Sequence, residues 1–167
     1  SAYAFRSDEN FVSLGTLTVE EQEPARAHND MAVLCTDEVT GVAYAGGRSG
    51  GTSTFFDIDG ISLGEGHPLD WNPMGGSLSV RASDGMIIGA DIQGASSDKI
   101  RITLFDTDWT PTDRIDVPVP QGYAFWPQRL LPFGDGWLLA YLTRDEPQGE
   151  GDGDVWVMAL DADFNVQ

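Results

Sequence analysis

The 167-residue chain holds a single cysteine, Cys35, and a single lysine, Lys99. One thiol can form neither an internal disulfide nor a thiolate zinc cluster. Cys35 ends the apolar run at 31–35 (MAVLC) and reads as a buried core thiol. Positive charge is scarce: 9 Lys and Arg stand against 27 Asp and Glu, for a net charge of -18. A surface of that sign repels phosphate backbones and anionic lipid, so binding to nucleic acid or a membrane surface is not expected. Long apolar runs are also lacking. The longest, at 137–142 (WLLAYL), is far too short to cross a bilayer. Ser1 opens no visible signal peptide. Helical signals reduce to one short acidic stretch at 19–26, which Pro24 breaks. The Gly-rich segment from Arg48 to Thr52 lacks the spacing and the lysine of a phosphate-binding loop, and no Gly-x-Ser-x-Gly motif occurs.

What is present is a repeat. The sequence is 41% hydrophobic, with five Trp and eight Phe, enough to build a core. Four segments share the pattern Asp-x-(Asp/Asn)-x: SDENF at 7–11, FDIDG at 56–60, FDTDW at 105–109 and LDADF at 160–164. Their first aspartates are Asp8, Asp57, Asp106 and Asp161, so the steps are 49, 49 and 55 residues. A second marker runs in phase. Asp37-Glu38, Ser83 to Gly85 and Gly134 to Gly136 each separate two apolar stretches. Asp-Gly between apolar runs signals a hairpin, because Gly accepts the positive φ of a tight turn.

Ordered along the chain, one unit reads strand A, acidic turn, strand B, Gly-rich loop, strand C, Asp-x-Asp turn, strand D. In the best-defined unit these are 77–82, 86–91, 100–105 and 113–118. The runs alternate and are rich in β-branched and aromatic residues, as pleated strands are. The extra residues of the last step fall in the B–C loop at 146–154, where an insertion costs little. Read in this phase, the chain holds strands C and D of a first unit (1–19), two full units (30–66 and 77–118) and strands A to C of another (127–167), thirteen strands in all.

This arrangement resembles the β-propeller repeat proteins of bacteria, over nearly the whole sequence. The likeness rests on strand order, spacing and the Asp-x-Asp turns. The Gly-His and Trp-Asp pairs of WD40 repeats are absent, as is the sialidase Asp-box. The resemblance implies an all-β fold of four-stranded antiparallel blades in an incomplete ring. A second chain, a second copy or further residues would complete it. It also implies a secreted or periplasmic binding scaffold. The alternative is part of a propeller-type hydrolase or lyase whose active site draws residues from other blades.

In such folds ligands gather on the face that carries the D–A and B–C loops. The D–A connections are expected at 20–30, 66–75 and 118–127. They bring both histidines, His28 and His67, together with Trp71, Tyr123, Phe125 and Trp126. His28, His67, Trp71, Tyr123 and Trp126 are therefore the candidate binding residues, suited to stacking on a glycan, a small molecule or an apolar side chain. No catalytic set emerges. Calcium wants several oxygens, and only Asp57 and Asp59 approach a calcium loop, without its third acid or distal Glu. The better reading of the Asp-x-Asp turns is structural: each first Asp accepts backbone N–H bonds, and the aromatic packs at the start of strand D. No cofactor is otherwise expected.

Overall fold

The structure, a computed structural model, describes the strand backbones between Ala2 and Leu69. With side chains it describes residues 76–81, 83–92, 96–146 and 153–167, those of 126 and 127 excepted, together with Ala32, Leu34 and Phe55. The described residues are all-β and contain no helix, so none long and apolar enough to cross a membrane. Among the described residues, thirteen strands form four antiparallel sheets, each a meander in chain order. The first sheet pairs β1 (Ala2–Ser7) with β2 (Ser13–Glu20). The second contains β3 (Asn29–Cys35), β4 (Thr40–Gly46), β5 (Ser53–Asp59) and β6 (Ser62–Leu69). The third contains β7 (Ser77–Val80), β8 (Ile87–Asp91), β9 (Lys99–Phe105) and β10 (Pro111–Pro118). The fourth contains β11 (Tyr123–Phe133), β12 (Gly136–Arg144) and β13 (Val155–Leu160).

The two-residue period of a strand explains how these sheets stack. In β8 and β9, Ile87 and Phe105 join Leu78 and Trp109 in a core with Ala32, Leu34 and Phe55 of the β3–β6 sheet. The intervening residues Ile88, Ala90, Ile100, Ile102 and Leu104 point the other way. They pack against Leu130, Trp137, Leu139, Tyr141, Met158 and Leu160 of the β11–β13 sheet and Phe164 of the turn that follows it. The β7–β10 sheet is thus covered on both faces, and every residue of β8 is buried. The alternation expected of this run therefore fails in β8, where Ile87, Ile88 and Ala90 are all buried. Its outer strand β10 is different. Pro111 and Pro118 bound it, and Asp113, Arg114 and Asp116 line it. Charge and proline blunt an edge whose N–H and C=O groups would otherwise invite another strand.

Two Asp turns lie among the residues described with side chains, and the backbone N–H bonds to their first Asp match. Asp106 Oδ1 accepts from the N–H groups of Asp108 (3.0 Å) and Thr110 (2.8 Å). Asp161 Oδ1 accepts from Asp163 (2.9 Å) and Asn165 (2.8 Å). The fourth residue is left-handed in both, with φ of 61° at Trp109 and 65° at Phe164. An aromatic side chain rarely adopts that backbone, which costs about 1–2 kcal/mol. Burial offsets the cost: both rings are at most 5% exposed, Trp109 stacked on Phe55 and Phe164 on Trp137. The structural reading of these two turns therefore holds. The turn expected at 56–60 differs, because Asp57 to Asp59 belong to β5 and Asp59 pairs with Ser62 of β6.

The β11–β12 hairpin also departs in detail from the Asp-Gly expectation. Phe133 faces Gly136 across a two-residue loop, and the positive φ (58°) falls on Gly134, before Asp135. Glycine at the first loop position is the requirement of a type II′ turn, whose twist matches that of the strands.

Candidate functional site

The candidate site grows from a fault in one ladder. Tyr123, Ala124 and Phe125 of β11 face Arg144, Thr143 and Leu142 of β12, but the next pair is Gln128 with Tyr141. Trp126 and Pro127 have no partner opposite them in this register. Pro127 has no N–H to give to a ladder, so the strand bulges there. The neck of the bulge is clamped by Gln128, fully buried, whose Nε2 donates to the carbonyl of Phe125 at 2.9 Å. On the other side of β11, Ala124 exchanges two backbone bonds with Ser97, at 2.7 and 2.9 Å.

Around this neck sits an aromatic and cationic group. The guanidinium carbon of Arg144 lies 4.0 Å from the centre of the Phe125 ring. Gly153 passes so close that a Cβ there would stand 2.1 Å from the Thr143 carbonyl oxygen and 2.6 Å from the Phe125 ring. Only glycine allows that approach. Tyr141, the ladder partner of Gln128, is buried in the core, and burial pushes its phenol pKa up, keeping it neutral. The cluster offers ring faces and a guanidinium, which suit stacking and cation–π contact rather than bond making.

Charge concentrates elsewhere, on β9 and β10. Arg101 Nε donates to Asp116 Oδ1 at 2.8 Å, and Lys99 pairs with the other carboxylate oxygen. First Arg101 and then Lys99 hold the Asp116 carboxyl down at about 2. The chain's one lysine is therefore engaged in a structural ion pair. Asp84 is likewise held below the usual carboxylate range, chiefly by Arg81, which grips it through two nitrogens across the β7–β8 turn.

The candidate binding residues separate as follows. Tyr123 opens β11, half-buried, and Trp126 lies in the bulge three residues on, so the fold brings these two to one end of one sheet. Both were expected in a connection; they lie in the strand because its ladder resumes beyond the fault. His67 was also expected in a connection. It lies within β6, paired with Phe55, because the β5–β6 ladder extends to Leu69. His28 and Trp71 lie outside the described residues, and so do the side chains of Asp57 and Asp59. Sequence reasoning missed Arg144, Gln128 and Gly153. The available signal was Pro127, which interrupts an otherwise continuous strand pattern. Among the described residues, no three His, Cys, Asp or Glu side chains come together as metal ligands would.

No protein-family model matches this chain, and no curated protein or solved structure matches it either.

Proposed function

We propose that the chain is a non-enzymatic interaction scaffold, part of a larger β-propeller whose stack of sheets is continued by a further sheet. The observation that carries this reading is the outer face of the β11–β13 sheet. Leu131 is 56% exposed, Val155 72% and Val157 62%, beside partly covered Leu138, Ala140 and Leu142. An apolar face of this kind, interrupted on β11 by Arg129, marks on a strongly acidic protein a place where something docks. The stacking of the β3–β6, β7–β10 and β11–β13 sheets supports the propeller form, since blades pack face to face in that way. The ring-and-guanidinium group around Phe125 and Arg144 suits a ligand contact on the loop side.

The test is binding of a hydrophobic fluorescent dye, read together with mass by light scattering. The scaffold reading expects either an assembly larger than 18.1 kDa or a folded monomer that binds dye through this face. A folded monomer that binds no dye contradicts it.

A further inference from the structure

The outer face of β11–β13 repeats, position by position, a face that is covered within this same chain. Aligned on the Asp turns, the row Ile88–Leu104 of the β7–β10 sheet corresponds to Leu138–Ala159, and Ala90–Ile102 corresponds to Ala140–Val157. On the β7–β10 sheet these positions are closed over by β11–β13, with Ile88, Ala90 and Ile102 fully buried. Their counterparts on β13 are open, and Val157 is 62% exposed.

The two sides of that internal contact are chemically unlike. The receiving side is aliphatic: Ile88, Ala90, Ile100, Ile102 and Leu104. The inserting side brings Trp137, Tyr141, Trp156 and Phe164. The exposed face is of the receiving kind along β12 and β13, with Phe133 at its turn end. Two such faces placed against each other would bring few of the large rings that fill the internal gap, which disfavours a symmetric face-to-face pair. An occupant that presents aromatics fits better.

The sequence of the first repeat has aromatics at the matching positions. Counted from the first Asp of its turn, Trp156, Met158 and Phe164 stand at minus five, minus three and plus three from Asp161. The same counts from Asp8 give Tyr3, Phe5 and Phe11. We infer that the outer face of β11–β13 is covered by the β1–β2 sheet of a second copy, in a head-to-tail contact that continues the internal stacking. This rests on the scaffold reading above. The proposal takes the closed form, in which two copies make the contact twice. Because each carries a net charge of -18, added salt strengthens the pairing.

The experiment is sedimentation equilibrium of the chain over a hundredfold range of concentration, at low and at 0.5 M salt (roughly a threefold shorter screening length than at 50 mM). Wild type, Val157→Asp, Val155→Asp and Phe5→Asp are compared, with folding checked by circular dichroism. The expected result is a dimer favoured by salt. Each single substitution abolishes it, and an equimolar mixture of Val157→Asp with Phe5→Asp partly restores it, because one intact contact remains. A dimer that survives Val157→Asp and Val155→Asp overturns the proposed surface. A folded monomer at every concentration overturns the second copy as occupant. Dye binding by that monomer, lost in Val157→Asp, leaves the scaffold reading standing, whereas its absence removes both.

Discussion

Trp109 lies flat on Phe55 of the neighbouring sheet, ring centroids 3.7 Å apart and planes 25° from parallel, while its own backbone is left-handed. A strained turn residue is thus the wedge between two sheets. Removing the ring loses the packing, about 3–5 kcal/mol for a buried aromatic cut to Ala. The left-handed backbone then penalises Ala but not Gly. Trp109→Gly is therefore expected to be more stable than Trp109→Ala by about 1 kcal/mol, despite its smaller side chain. Urea denaturation of the two variants checks the order, and the reverse order would remove the strain argument.

The Asp106 carboxylate works through one oxygen that accepts two backbone N–H bonds. Asp106→Asn keeps that acceptor, and Asp106→Ala does not. The Ala variant is expected to lose on the order of 1 kcal/mol and the Asn variant much less. Thermal melts in the presence of a calcium chelator are expected to match those without it. A clear loss of Tm in chelator would instead make the Asp turns metal loops.

Asp116 gives the fold a pH dependence of known sign. Its carboxyl sits at about 2 in the folded chain, against 3.8 as its ordinary value. A depressed carboxylate stabilises above its unfolded pKa and loses that contribution as pH falls through the folded value. Asp116→Asn is thus expected to be less stable than wild type at pH 5 and above. The gap closes between about pH 4 and pH 2. Since the pair is partly exposed, the gap is on the order of 1 kcal/mol and shrinks in salt. Melting curves across that range test it, and a gap that widens in acid would contradict the assignment.

Gly153→Ala tests the bulge cluster. The added methyl meets the Thr143 carbonyl oxygen and the Phe125 ring at once. A loss of about 1–3 kcal/mol is expected, as for overpacking in a core. A neutral substitution would mean that the Phe125–Arg144 group is loosely held and poorly suited to a binding site.

Much of the architecture was legible because period-two alternation and turn residues are local signals. The β8 and β9 runs and the acidic turns at 83–85 and 134–136 could be read from their own residues. The Asp106 and Asp161 turns were legible for the same reason, since an Asp bonds to N–H groups only two and four residues ahead. The candidate site was less so. His67 sits in a strand because its ladder partner Phe55 is twelve residues earlier, and the length of that ladder is a pairing property no local pattern records. Phe125 faces Leu142 rather than Arg144 because of a two-residue fault, and it meets Arg144 on the diagonal, an offset that no local pattern records. The left-handed aromatics were not legible at all, since packing across sheets decides them.

The central claim is that the outer face of β11–β13 becomes covered. The most direct measurement places a reporter there: Val157→Cys in a Cys35→Ser background, with the thiol's reaction rate followed as protein concentration rises. The account predicts fast labelling of dilute protein and marked protection at high concentration, strengthened by salt. Labelling that stays fast at every concentration and salt would contradict it.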